Sequence, residues 1–126
     1  MPHLLLIDDD EAFRRMLRTT LEHAGHTVTE ARDGREGLAW YQPVGHDLVI
    51  TDLIMPEKEG FETIAGLRQR NPKVPIIAIS GGGRYSPNTY LATAQALGAN
   101  HVFAKPFANA QLLARINELL AAPPTS

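Results

Sequence analysis

Short apolar runs alternate along this chain with longer segments in which apolar residues recur every three or four positions. The first run, His3 to Ile7, predicts a strand and leads straight into Asp8, Asp9 and Asp10. Asp10 to Ala24 predicts a helix, with Phe13, Met16, Leu17 and Leu21 at helical spacing and Gly25 as its stop. Thr27 to Ala31 predicts a short strand, followed by an Asp33-Gly34 turn. Arg35 to Gln42 predicts a helix closed by Pro43, Asp47 to Thr51 a strongly apolar strand, and Phe61 to Arg70 a helix ended by Asn71-Pro72. Pro75 to Ser80 predicts a strand and Gly81 to Pro87 a glycine-rich loop. Asn88 to Leu97 predicts a helix with Gly98 as its C-cap, and His101 to Ala104 the last strand. Asn109 to Leu120 predicts the last helix, with Leu112, Leu113, Ile116, Leu119 and Leu120 forming a stripe that reads as core.

Five β-α units in succession predict an α/β fold: a doubly wound, five-stranded parallel sheet with helices on both faces and right-handed crossovers. In such sheets ligands bind beyond the carboxyl ends of the strands, near the topological switch. The residues that close the strands are therefore the ones to inspect.

Composition narrows the class. A chain of 126 residues is one ordinary domain, read as 1–121 with a flexible tail at 122–126, and its 44% apolar content suffices for a core. No run of 18 apolar residues and no signal-peptide pattern is present, which argues against a membrane role. The absence of cysteine excludes disulfides and thiolate metal sites and fits a cytoplasmic location. Net charge is −2 and the basic residues stand in small groups such as Arg14-Arg15, so nucleic-acid binding by this domain alone is not expected.

The strand ends carry the chemistry. The first predicted strand ends in Asp8-Asp9-Asp10, the third in Asp52 ("LVITDLIMP"), the fourth in Ser80 ("IIAISGGG") and the fifth in Lys105 ("HVFAKPF"). A parallel sheet brings all of these to one edge. Two carboxylates about 4 Å apart repel by roughly 4 kcal/mol at an effective dielectric of about 20. Asp8, Asp9 and Asp52 together need a cation, and Lys105 alone leaves the group at −2. A divalent ion balances it, and Mg2+ suits an all-oxygen set without histidine or cysteine. A hydroxyl (Ser80) and an ammonium (Lys105) beside a metal-bound carboxylate suit phosphoryl oxygens. Carboxylates can accept a phosphoryl group covalently, and Asp52, between metal and clamp, fits that role best.

These residues, in order and each at the end of its β-run, resemble the receiver (CheY-like) domain of two-component response regulators over essentially the whole chain. The match rests on Asp8-Asp9, Asp52 in "DLIMP", Ser80, and Lys105-Pro106. The resemblance implies strand order 2-1-3-4-5 and a cis bond at Lys105-Pro106. It implies a non-enzymatic, phosphorylation-dependent switch in a phosphorelay. Asp52 would be the phosphoacceptor, Asp8 and Asp9 would hold Mg2+ with it, and Ser80 and Lys105 would bind the phosphoryl group. Implied partners are a sensor histidine kinase or phosphotransfer protein and an unidentified downstream protein, with room for a homodimer linked to phosphorylation. The changing surface would be helix four, strand five and helix five.

Three positions depart from the family pattern. Val102 stands where a switch Tyr or Phe is common, while His101 and Phe103 beside it point to the other face. The stretch between Ser80 and Lys105 is longer than expected, with the extra length in the 81–88 loop. Ile54 and Gly82 occupy the two positions that influence water access to the acyl phosphate.

Simpler roles account for other features. Asp10 reads as a helix cap, "SGGGR" lacks the Gly-Lys-Ser/Thr ending of a P-loop, the five histidines read as structural or surface residues, and Trp40 and Tyr41 read as packing. Two alternatives come from other classes. One is a Mg2+-dependent aspartyl-phosphate phosphohydrolase of the haloacid dehalogenase type, built on Asp8-Asp9-Asp10; the other is an unphosphorylated pseudo-receiver that binds proteins. Because Ile54 cannot orient a water and Gly82 offers only backbone, a phosphorylated Asp52 should lose its phosphate slowly. Replacing Ile54→Asn should shorten the half-life measured by phosphate release, and an unchanged half-life would refute that explanation.

Overall fold

The computed structural model describes residues 2–53, 59–80, 87–105 and 107–121, apart from the side chains of 59 and 87–91. The elements run β1 (His3–Ile7), α1 (Glu11–His23), β2 (Thr27–Ala31), α2 (Gly34–Trp40), β3 (Leu48–Asp52), α3 (Glu59–Arg70), β4 (Ile76–Ser80), α4 (Pro87–Leu97), β5 (His101–Ala104) and α5 (Asn109–Ala121). The strands form one parallel sheet in the order β2-β1-β3-β4-β5. The chain thus runs outward from β1 in both directions, and the switch in strand order lies between β1 and β3.

Strand alternation decides which layer each side chain joins. Leu5, Ile7, Val49, Ile76 and Ala78 pack into one cluster with Ile64 and Leu67 of α3 and Ala94 of α4. Leu4, Leu6, Leu48, Ile50, Ile77 and Ile79 pack into another with Leu17 and Leu21 of α1 and Leu112 and Ile116 of α5. Both faces are covered by packed side chains, so β3 and β4 are buried at every position and apolar up to Thr51-Asp52 and Ser80 at their ends.

Several element boundaries differ from the sequence expectation for local reasons. Asp33 caps α2 by accepting the Glu36 N–H (2.8 Å), so the helix starts at Gly34; Tyr41 turns extended and ends it before Gln42. Pro75 has no N–H to contribute to the ladder, yet its carbonyl accepts from the Val49 amide (3.0 Å) just outside β4. Pro87 opens α4, where its missing N–H costs nothing. Asp10 is the N-cap of α1 and accepts from the Phe13 N–H (3.1 Å).

Two packing expectations are corrected. Met16 is half exposed, because the buried stripe of α1 runs through Arg14, Leu17 and Leu21 at i, i+3 and i+7, and Met16 falls outside it. Trp40 is also half exposed; its neighbour Tyr41 is buried instead, with its hydroxyl accepting from Asn71 Nδ2 (3.1 Å). The histidines serve as structure where described contacts reach them. The His46 ring accepts the Gln42 N–H (3.0 Å) and stacks on Tyr41, and the His3 ring bonds Thr29 Oγ1 (2.6 Å).

His26 is buried with neither ring nitrogen bonded, and burial pushes its pKa below the ordinary value near 6.5. The unfolded chain therefore takes up the proton more readily. Stability from this group is full above about pH 6.5 and falls as pH drops toward the lowered folded value. Melting temperatures followed from about pH 7.5 to about pH 5 should fall, and fall less in His26→Leu. An equally steep fall in the variant would assign the acid loss to other groups.

Candidate functional site

The carboxyl ends of β1, β3, β4 and β5 meet at the switch point. Asp8 continues β1 by one residue, its N–H bonded to the Ala31 carbonyl of β2 (3.1 Å), and its side chain is 1% exposed. Its Oδ1 accepts the Asp10 N–H (2.8 Å) and its Oδ2 lies 3.3 Å from Lys105 Nζ. Asp52 closes β3, buried, with Oδ2 3.5 Å from the same ammonium. In register Asp52 faces Ile79, so Ser80 lies one position further along β4; it is buried, and its carbonyl accepts the Lys105 N–H (2.8 Å).

Asp8, Asp9 and Asp52 each offer a carboxylate oxygen, and these oxygens lie within 4.8 Å of one another. Asp9 is exposed at its outer side. Desolvation of the carboxyl and, after it, the charge of Asp8 push the Asp9 pKa above the ordinary carboxylate range. With Lys105 counted, the cluster carries −2. Each Lys105–carboxylate attraction is worth about 5 kcal/mol before desolvation, at an effective dielectric of about 20. One ammonium satisfies two of the three acids, and the remaining charge favours a hard divalent cation on the all-oxygen set.

The expected site residues fall as follows. Asp8, Asp9, Asp52 and Lys105 come together, with Ser80 at the adjoining strand end. Val102 faces the cluster of Leu5 and Val49, whereas Phe103 faces the other layer. Ile54, Gly82 and Pro106 lie outside the described residues, as do most of the 81–88 loop and the tail from 122.

Other contributors were not singled out from sequence. Arg14 is 6% exposed; its Nη1 donates to the Asp8 carbonyl (2.8 Å) and its Nε to Glu30 Oε1 (2.8 Å). Arg18 Nη1 adds a second contact to Glu30 (2.7 Å). Desolvation works against the Glu30 charge, but hydrogen bonds from Arg18 and Arg14 outweigh it and hold the carboxyl below its ordinary range. Glu30 of β2 thus braces α1 against the β1 terminus. The readable signal was Arg14's place in the i, i+3, i+7 stripe with Leu17 and Leu21. Phe13, read as core, lies with its ring under Lys105 Nζ, 3.8 Å from the centroid. Gly60 abuts the acid-bearing segment: a Cβ there would sit 2.5 Å from the Asp52 carbonyl oxygen and from Leu53 Cα.

Fold and site together define a doubly wound α/β domain with a lysine-clamped acid pocket at its topological switch. Known proteins share the fold. Residues 4–117 match the family model described as response regulator receiver domain. The response regulator MprA of Mycolicibacterium vanbaalenii is 38% identical over 117 residues, 93% of this chain and 49% of MprA. The transcriptional regulator RpaA of Synechocystis is 33% identical over 122 residues, 95% of this chain and 49% of RpaA. The chain spans about half the length of the curated relatives it matches. Among solved structures, the chemotaxis protein CheY4 of Vibrio cholerae superposes with a TM-score of 0.82 at 33% identity, covering 94% of this chain and 98% of that one. A receiver domain from Clostridium thermocellum gives 0.88 at 26% identity, covering 95% and 94%. The chain belongs to the response regulator receiver domain family, whose function is a phosphorylation-dependent switch in two-component signalling. Among the described residues, no helix is long and apolar enough to cross a membrane.

The close approach at Gly60 yields a test. Gly60→Ala puts a methyl against backbone, which cannot swing aside, and should destabilise the domain by about 1–3 kcal/mol. Urea unfolding reads this directly, and an unchanged midpoint would show that α3 does not need the close approach.

Proposed function

We propose that Asp52 is the phosphoryl acceptor of this domain and that Asp8, Asp9 and Asp52 hold Mg2+ beside it. The observation that carries the reading is the shared ammonium: Lys105 Nζ lies between the buried carboxylates of Asp8 and Asp52, on the edge where Asp9 adds a third acid. Three carboxylates with converging oxygens, and no histidine or thiolate among them, fit a hard ion. When bound, Mg2+ would neutralise charge on the incoming phosphoryl oxygens.

The chain's own residues do the rest. A carboxylate oxygen of Asp52 attacks phosphorus; the bond from phosphorus to the donor's imidazole nitrogen breaks, and its electron pair stays on that nitrogen. Lys105 orients the Asp52 carboxylate, then pairs with the phosphoryl group. Ser80, at the neighbouring strand end, donates its hydroxyl to a phosphoryl oxygen. The new charge draws Ser80 toward the site and shifts a pre-existing equilibrium at the α4–β5–α5 surface. The domain catalyses only its own phosphorylation and dephosphorylation, in the cytoplasm, between a histidine kinase or phosphotransfer protein and a downstream partner. The phosphohydrolase reading is less favoured, because one oxygen of Asp10 already serves as the cap of α1.

Incubation with Mg2+ and a small acyl phosphate should add one phosphoryl group, read by intact mass. Asp52→Asn should abolish it, and omission of Mg2+ should slow it by at least about tenfold. Undiminished labelling of Asp52→Asn would refute the assignment.

A further inference from the structure

The geometry points to Phe13 as a positioning residue for Lys105: its ring face forms the floor on which the ammonium rests while it bridges Asp8 and Asp52. This rests on the reading of Asp52 as acceptor. Lys105 Nζ is 3.8 Å from the Phe13 centroid, 3.3 Å from Asp8 Oδ2 and 3.5 Å from Asp52 Oδ2. At that distance a cation is attracted to the negative ring face, and the contact strengthens as water is excluded. The lysine side chain is only 21% exposed.

The ring is itself held in place. Its backbone N–H is the donor to the Asp10 cap (3.1 Å), and Phe107, just beyond β5, packs against it edge to face at 6.2 Å and 82°. Phe103 of β5 supports Phe107 in turn, at 5.6 Å. The third acid of the Asp8-Asp9-Asp10 run therefore seats the residue on which the lysine rests.

The role follows from the properties of the two groups. A lysine is a point charge on a flexible four-carbon stem and can approach carboxylates from many directions. Two acids fix its distance but leave it free to swing about the line between them. A ring face removes that freedom without adding charge or a directional hydrogen bond. The ammonium can then turn from Asp52 toward a bound phosphoryl group while keeping the same floor. An aliphatic side chain of similar bulk would fill the space but offer no quadrupole.

The experiment reads three proteins: wild type, Phe13→Leu and Phe13→Tyr. In the wild type, the Lys105 ε-methylene protons should resonate upfield of ordinary lysines through the ring current. The shift should vanish in Phe13→Leu and persist in Phe13→Tyr. Labelling by a small acyl phosphate with Mg2+ should slow about fivefold in Phe13→Leu and recover in Phe13→Tyr. Ordinary Lys105 shifts in the wild type would overturn the proposal without any variant. So would equal labelling rates in wild type and Phe13→Leu, or a Phe13→Tyr as slow as Phe13→Leu. Failure of wild type to be labelled would overturn the acceptor reading instead, and the resonance would still decide the Lys105–Phe13 contact.

Discussion

The Lys105 ammonium between the buried carboxylates of Asp8 and Asp52 ties three strand ends into one site. Both acids are buried, and an uncompensated buried charge costs several kcal/mol. Lys105 offsets part of that cost while being shared, so neither acid is fully neutralised. Asp9 sits at the solvent side and raises the deficit again. The site is thus stable enough to fold with its acids clustered, yet retains net negative charge for a divalent ion. This balance depends on distance, and so on how firmly each strand end is held.

The means of holding them differ in kind. β3 and β4 are central and buried throughout, so their termini are fixed by the sheet itself. β1 needs more, because Asp8 lies one residue past the strand. Its N–H is tied to β2, its carbonyl to Arg14, and its side chain to the Asp10 N–H. Arg14 is buried, and its charge is tolerable because Glu30 faces it and Arg18 helps hold Glu30 ionised. A buried ion pair of this kind is weak evidence for added stability. Its clearer consequence is geometric: α1, β2 and the end of β1 cannot shift independently. Phe13 and the Asp10 cap extend the same restraint across the site to Lys105.

Much of this was legible in the residues. Alternating β-runs and helix-period segments imply a parallel sheet, which places every strand's carboxyl end on one edge. The acids and the lysine could therefore be assembled from position alone. What stayed hidden required side-chain geometry. Arg14 stood out only as one of a small basic group with Arg15, although its spacing with Leu17 and Leu21 puts it on the buried stripe. Met16 and Trp40 looked like core because apolar character was weighed above helical angle, and both end half exposed. Gly60 carried no local signal, since its constraint comes from the backbone of Asp52 and Leu53, distant in the helix pattern. Phe13 was placed correctly in the α1 packing, but a contact with a lysine 92 positions later has no signature in spacing.

The two faces of the sheet are unequal in how they meet the site. On the α2–α3–α4 side, the β5 residue is Val102, stiff, small and packed against the cluster of Leu5, Val49 and Ile76. On the α1–α5 side, Phe13, Phe107 and Phe103 form a continuous line of rings from Lys105 to β5. A branched aliphatic side chain has few alternative positions, and edge-to-face ring pairs likewise hold one another in a preferred geometry. The ammonium is thus in direct contact with α1 and, through Phe107, one ring away from the segment entering α5. It is not coupled through an aromatic at position 102. The ring that touches the ammonium therefore belongs to the α1–α5 layer, and Val102 on the opposite face offers no ring of its own.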